Sequence, residues 1–301
     1  MTSQDRSDLW VGDWPLLRGP WFGAGGPGSE PIELCAEVFT DANRVSGITF
    51  NPEGSEAFFS LNTPDGMSAD LMWTRMVDGV WVRPEQAAFN SDQIDNDIVM
   101  SPDGQRLVWR SWRALPGNSE PEKNVCLWAA DRCGEGWGDP LPVECGGERQ
   151  AAVYPGITTD GTLYFSARTA VVDGEPTYAI LRAHRQGLQY EEPEIVIPDL
   201  TSAADLCVAP DGSFLVATIF RQPRFKGAAD LQVSFQRSDG TWTPLRELGS
   251  GVRTERTEFC PTISADGSKL LFCRIDREDR SVPASTWWIG TAFISDLYDG
   301  V

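Results

Sequence analysis

Four of five repeated short turns in this 301-residue chain are preceded, at fixed offsets, by residues able to exchange protons or hold a cation. The turns end at Gly54, Gly104, Gly161, Gly212 and Gly267. Seven residues before each stand Gly47, Asp97, Tyr154, Asp205 and Cys260, and nine before stand Val45, Asp95, Ala152, Ala203 and Glu258. Side chains two apart on a strand share a face. Asp95, Asp97, Asp205 and Glu258 are therefore expected on one surface, with Tyr154 beside them. Arg44, Arg149 and Arg256 lie a few residues upstream, where the loops would enter. Converging carboxylates raise one another's pKa unless a cation or an arginine offsets the repulsion. Two such groups about 5–9 Å apart can act as general acid and as base or nucleophile in glycoside cleavage. Trp109, Trp112, Trp287 and Trp288 could then stack on sugar rings. The same carboxylates can instead hold water or a divalent cation and leave the protein a binding scaffold.

Other chemistries have fewer residues behind them. His184 is the single histidine, it sits beside Arg185 and Gln186 in a hairpin, and it reads as a solvated turn residue. That count excludes histidine-rich metal sites. The acidic run Asp92–Asp97 does not match the twelve-residue calcium loop. No resident cofactor is expected. The seven cysteines, Cys35, Cys126, Cys133, Cys145, Cys207, Cys260 and Cys273, show no paired zinc spacing. Cys207, Cys260 and Cys273 read as small core residues, while Cys133 and Cys145 flank one hairpin and could approach each other.

The elements that must position these residues follow from the turns themselves. Asn51-Pro52-Glu53-Gly54, Ser101-Pro102-Asp103-Gly104, Thr158-Thr159-Asp160-Gly161, Ala209-Pro210-Asp211-Gly212 and Ser264-Ala265-Asp266-Gly267 each precede a short apolar run. Asp-Gly between two apolar runs is a strong hairpin signal, read here as a type I′ turn. A second turn follows most copies, at Asp78-Gly79, Gly134-Glu135, Gln186-Gly187 and Asp239-Gly240. Two hairpins per period make a four-stranded antiparallel unit, and a period of 50 to 57 residues marks a ring of such units. The expected fold is all-β: a five-bladed β-propeller. The fifth period stops after Thr286–Gly290, so Pro31–Phe39 is expected to supply its last strand and close the ring. The innermost strands lead into the Asp-Gly turns and place the carboxylates along the central channel. Trp81, Trp137, Tyr190 and Trp242, at equivalent positions, are expected to pack between blades.

Residues 1–29 form a Gly/Pro-rich lead-in whose Trp10, Trp14 and Trp21 should dock on the ring, and residues 30–301 a single domain. The net charge of −19 argues against nucleic acid and anionic membrane surfaces as partners. No apolar run is long enough to span a bilayer. The N-terminus lacks a basic start and an apolar core, which together with the odd cysteine count points to the cytoplasm.

These repeats resemble those of the TolB-type, WD40-like β-propeller proteins of bacteria: apolar-Ser-Pro-Asp-Gly, two residues, then an apolar strand ending in Ser. The pattern is carried by Ile98–Ser111, Ile157–Ser166, Val208–Thr218 and Ile263–Cys273, with Ile48–Ser60 a looser copy. The lead-in Phe22–Pro31 and the aromatic C-terminal segment Trp287–Leu297 extend the likeness over nearly the whole chain. The resemblance implies the fold. Related rings serve as protein-binding modules, as sugar-acid lyases with metal-binding histidines, and as attachments to peptidase domains. This chain lacks those histidines, and it carries Gly47 and Ala203-Ala204 where polar residues often stand near the channel. Such departures fit a pocket reshaped for a small ligand, as in a biosynthetic cyclase or hydrolase.

Two functions are carried forward. One is a binding propeller that takes a small molecule, a glycan or a protein loop at an acidic channel face. The other is a carboxylate-dependent enzyme using Asp97, Asp205 and Glu258 with Tyr154 assisting, and Asp95, Arg44, Arg149, Arg256 and Trp112 in ligand contact. On either reading, amide replacement of Asp97 or Glu258 should spare the fold and remove the function.

Overall fold

The computed structural model describes residues 13–39, 45–63, 68–118, 125–172, 174–220, 229–249, 251–276 and 284–298. Arg44 and Trp10 lie outside them.

Each repeat turn folds around its own side chains. In the first, the Gly54 N–H donates to the Asn51 carbonyl, and Asn51 Oδ1 accepts from the Ser55 and Glu56 amides at 2.7 and 2.9 Å. In the others an aspartate does this work, as when Asp266 Oδ1 accepts from Ser264 Oγ, Ser268 Oγ and the Ser268 amide. Those donors pull the Asp266 carboxyl well below the usual carboxylate range. Only the glycine of each repeat turn has positive φ, and its N–H closes the turn on the carbonyl three residues back, so these are not type I′ turns. The second hairpin of the first blade is the type I′ one, with positive φ at both Asp78 and Gly79.

The turns generate five antiparallel blades. Their inner strands are Val45–Phe50, Asp95–Met100, Ala152–Ile157, Leu206–Val208 and Thr257–Ile263. The second strands are Glu56–Asn62, Arg106–Ser111, Leu163–Val172, Phe214–Phe220 and Lys269–Ile275. Each inner strand neighbours the inner strands of the blades on either side, and the first meets the fifth to complete the ring. Ile32–Glu33 pairs antiparallel with Trp287 and Trp288 and is the outer strand of the fifth blade. The ring therefore closes by mixing the two ends of the chain, which removes an exposed sheet edge.

The core consists of apolar layers between successive blades. Phe58, Leu71 and Phe89 of the first blade meet Ile98, Leu107 and Trp109 of the second. Leu163, Phe165 and Tyr190 pack on Val108 and Leu127. Tyr190, Trp137 and Trp242 take the inter-blade places expected of them. Burying one large apolar side chain is worth about 1.5–3 kcal/mol. Each layer thus contributes substantially, and none can be lost without opening the ring.

The lead-in covers the closure. Phe22 is buried against Phe39, Phe50 and Trp81. Trp14 Nε1 donates to the Trp81 carbonyl, and the Trp21 ring lies 4.4 Å from that of Phe50. Trp21 sits directly over Gly54, where a β-carbon would fall 2.4 Å from the indole nitrogen. Gly54→Ala should therefore cost more than the roughly 1–2 kcal/mol of a left-handed alanine. Gly79→Ala, with positive φ but open space around it, should cost only that. Denaturant unfolding of the two variants checks the difference, and equal losses would mean that Trp21 does not hold that place in solution. No helix among the described residues is long and apolar enough to cross a membrane.

Candidate functional site

The inner strands are not regular where the channel begins. In the first, second, third and fifth blades the register slips between Ser46 and Thr49, Asn96 and Val99, Val153 and Gly156, and Phe259 and Thr262. Each slip holds one residue in left-handed conformation: Gly47, Asp97, Tyr154 and Cys260, with φ of 58°, 54°, 55° and 48°. These are the residues seven before the repeat glycines. A bulge of this kind bends the strand and re-aims one side chain. A non-glycine residue in this conformation costs energy that its surroundings must supply. The neighbouring blades do so. The Asp97 amide donates to Ser60 Oγ of the first blade at 3.1 Å, and the Cys260 amide donates to Asp205 Oδ2 of the fourth at 3.1 Å.

The result is a small funnel at the channel mouth, lined by Gly47, Asp97, Tyr154, Asp205 and Cys260. Its volume is about 40 Å³, enough for a few waters or one compact polar group. Further along the same strands, Phe50, Met100, Ile157, Val208 and Ile263 line a second cavity, of about 20 Å³.

Among the described residues, Arg110 is the cation of this site. Its Nε lies 2.6 Å from Asp97 Oδ2. The Nε proton is directed at Asn96 Oδ1, so Asp97 Oδ2 is buried in a charge contact without a hydrogen bond. The guanidinium also lies 5.1 Å from the ring centres of both Tyr154 and Trp112. Asp205 accepts from the Cys260 amide, from Cys260 Sγ at 3.5 Å, and from the Tyr154 hydroxyl. Arg110 thus pairs with Asp97 and acts on Asp205 only through its charge.

Burial pushes the Asp97 carboxyl up to about 6; Arg110 opposes that rise and Asp205 adds to it. Burial also raises Asp205, against the Cys260 amide and Arg110. The Asp205 charge and burial hold Tyr154 well above its ordinary value. Burial and the same charge keep Cys260 a thiol. Near neutrality the funnel thus holds acceptors on Asp97 and Asp205, donors on Tyr154 and Cys260, and no thiolate nucleophile.

The raised Asp97 value has a thermodynamic consequence. The folded value exceeds the unfolded one, near 3.9, so the folded state binds more protons between about pH 4 and 6. The stability associated with the protonated group is present in full below pH 4 and is lost as pH rises through 6. The loss is about 3 kcal/mol, two pKa units at about 1.4 kcal/mol each. Asp97→Asn should remove it, so the stability difference between wild type and variant should shift toward the variant by that amount from pH 4 to pH 8. A pH-independent difference in urea unfolding would show that Asp97 titrates normally.

Alternation along the strand assigned the wrong face to two residues. The left-handed residue breaks period two, so the residues nine before the glycine do not share the funnel with those seven before it. Asp95 is fully buried within the second blade, bound by Arg113 Nη2 at 2.6 Å, Ser91 and Trp109 Nε1. Glu258 is fully buried against Arg274 Nε at 3.0 Å and Thr254 Oγ1. Neither lines the funnel. The structure brings together Asp97, Tyr154 and Asp205, with Trp112 reaching them through Arg110, and it leaves Glu258 apart. Arg149 is exposed and Arg256 lies 3.9 Å from Asp276, both away from the funnel, and Arg44 is outside the described residues.

Arg110 was not singled out in the sequence, although it is the direct cross-strand partner of Asn96. Trp109 and Trp288 are fully buried core residues rather than sugar platforms, and Trp287 is half-buried under Arg274. Cys133 and Cys145 are both free thiols. His184 is exposed at a hairpin, with Nδ1 3.0 Å from Thr162 Oγ1. Among the described residues no group of three or more His, Cys, Asp or Glu side chains is placed to hold a metal ion.

No protein-family model matches the chain, and no curated protein matches it by sequence. Solved structures do match in shape. One is a protein assigned as TolB from Agrobacterium tumefaciens, with 14% identity over 83% of this chain and 78% of that one and a TM-score of 0.53. Another is the catalytic domain of the GH62 α-L-arabinofuranosidase of Coprinopsis cinerea, with 13% identity over 91% and 97% and a TM-score of 0.54. A third is the α-L-arabinofuranosidase PaAbf62A of Podospora anserina, crystallised with cellotriose, with 13% identity over 88% and 94% and a TM-score of 0.53. At these identities the likeness establishes the fold, a five-bladed propeller such as the TolB-type repeats imply. Function rests on the site.

Proposed function

We propose that the protein is a ligand-binding propeller that receives one compact cationic group, an ammonium or a guanidinium, at its channel mouth. The observation that carries this reading is the charge balance of the funnel. Asp97 and Asp205 converge there from the second and fourth blades, and among the described residues Arg110 pairs with Asp97 alone and Asp97 Oδ2 has no hydrogen bond. Burying an unpaired acceptor is costly, so a donor that reaches it gains free energy. The cavity admits a head group and no more, so the rest of the ligand would lie on the rim near Trp112. The overall charge of −19 would draw cations to this face. The seven free cysteines fit a reducing compartment, which we take to be the cytoplasm.

Calorimetric titration with spermidine, agmatine and choline tests the reading. Binding of at least one of these probes, weakened as ionic strength rises, supports it. Three flat titrations would remove the cationic class from this site.

A second reading has its own observation. A carboxyl poised near pH 6 beside a second carboxyl and a phenol is the arrangement of an acid–base pair. Similarly shaped rings include arabinofuranosidases. In that reading Asp97 would give a proton to a leaving group and Asp205 would act on the opposite side. Release of nitrophenol from 4-nitrophenyl α-L-arabinofuranoside, lost in Asp97→Asn, would favour it over simple binding.

A further inference from the structure

Away from the channel, between the first and second blades, lies a cleft of about 210 Å³, five times the volume of the funnel. Its walls are aromatic: Phe58, Trp73 and Phe89 from the first blade and Trp137 from the second, with Ala87 and Ala88 leaving the space open. Phe58 stands parallel to Trp73, at 6.3 Å and 21°, and perpendicular to Trp137, at 5.8 Å and 83°. Both indoles are half-buried, so their rings remain accessible.

One buried carboxylate holds these walls rigid. Glu56 Oε1 accepts from Trp73 Nε1 at 2.8 Å and from Trp137 Nε1 at 3.4 Å. Arg132 clamps the same carboxylate through two nitrogens, at 3.2 and 2.5 Å, while its Nε donates to the Gly104 carbonyl. Inter-blade packing needs an aromatic at Trp137, as at Tyr190 and Trp242. It does not need Trp73 tethered to the same carboxylate beside an open space.

We infer that this cleft is a second binding site, for a single neutral sugar ring. Charge decides against a cation, because each indole already carries a guanidinium: Arg132 at 3.9 Å from the Trp137 ring centre and Arg75 at 4.9 Å from that of Trp73. A second cation on those rings gains less and meets repulsion. The acidic chain disfavours an anion. The polar group at the rim is the exposed carboxylate of Asp139, an acceptor, so the ligand must carry donors on its edge. A pyranose has an apolar face to stack on indole and hydroxyls around its edge. A proline-rich peptide offers a similar face without those donors.

Saturation-transfer NMR and calorimetry with xylotriose, cellotriose and maltotriose test this, with indole as a planar aromatic control. At least one oligosaccharide should bind the wild-type protein. Ala88→Trp, a substitution at an exposed position that fills the cleft, should weaken that binding about tenfold or more while the melting temperature is kept. Asp139→Ala, at the exposed rim, should weaken it with the fold untouched. Asp205→Asn should leave it unchanged, which separates this site from the channel. The inference is overturned if none of the three sugars binds, if Ala88→Trp binds as wild type does, or if indole alone is captured. Loss of sugar binding in Asp205→Asn would also overturn it, by moving the sugar to the channel.

Discussion

Replacing Arg274 by methionine should destabilise the protein by about 3–5 kcal/mol, the cost of leaving a buried charge without its partner. Arg274 crosses the fifth blade between two aromatic rings, 4.4 Å from Trp287 and 5.4 Å from Phe272. Its Nε donates to Glu258 and its Nη2 to the Val252 carbonyl at 2.9 Å. Without it Glu258 keeps one donor, Thr254 Oγ1, and has no route to water, since the residue is fully buried. The Val252 carbonyl loses its donor as well. Lysine at the same place should recover part of the loss, because it restores charge without a planar fork.

The double variant Arg274→Met, Glu258→Leu should recover more than lysine does, since an apolar pair of similar volume needs no compensation. Guanidinium chloride unfolding at pH 7 measures all three. An Arg274→Met variant within 1 kcal/mol of wild type would mean that the pair with Glu258 does not hold the blade together. The pair also revises what Glu258→Gln should do. The sequence alone suggested a fold-neutral, function-abolishing substitution. The structure predicts a loss of stability and an intact funnel.

Asp205→Asn should weaken binding of a cationic probe at the channel mouth about 100-fold while leaving the fold intact. An asparagine can still accept from the Cys260 amide and the Tyr154 hydroxyl, so the bulge in the fifth blade keeps its anchor. What it removes is the charge. The funnel then holds Asp97 against Arg110 with no excess negative charge, and a cation entering it meets a neutral pair. Losing one member of a desolvated charge contact costs about 2–5 kcal/mol of binding, which sets the scale.

The pH dependence adds a second readout. Affinity of the wild type should fall below pH 6 as Asp97 takes up its proton, and should fall less in Asp97→Asn. Equal affinity of Asp205→Asn and wild type for spermidine, agmatine and choline would place any cation site outside the funnel.

How much of this was legible in the chain differs from one residue to the next. The five turns announce themselves, because an aspartate or asparagine that caps its own loop and a glycine at positive φ are local requirements. The closing strand at Ile32–Glu33 could be inferred by counting, since the fifth period lacks a fourth strand. Asp97, Tyr154, Asp205 and Cys260 could be aligned by their common distance from the glycine. That is why the funnel's lining was readable without coordinates. Its cation was not, because Arg110 belongs to the second strand and reaches the funnel only through pairing.

The chain by itself determined the number of blades, the order of strands and the register of residues around the axis, since each depends on contacts within one period. Tertiary structure alone decided that Asp95 and Glu258 do not share the funnel's lining. Left-handed backbone at Asp97, Tyr154 and Cys260 is unfavourable locally, and no residue type announces it there. Anchors from other blades hold it, Ser60 Oγ for Asp97 and Asp205 Oδ2 for Cys260. Those anchors exist only when neighbouring blades are docked, and with them Asp95 and Glu258 are buried within their blades while Asp97 and Asp205 remain at the mouth.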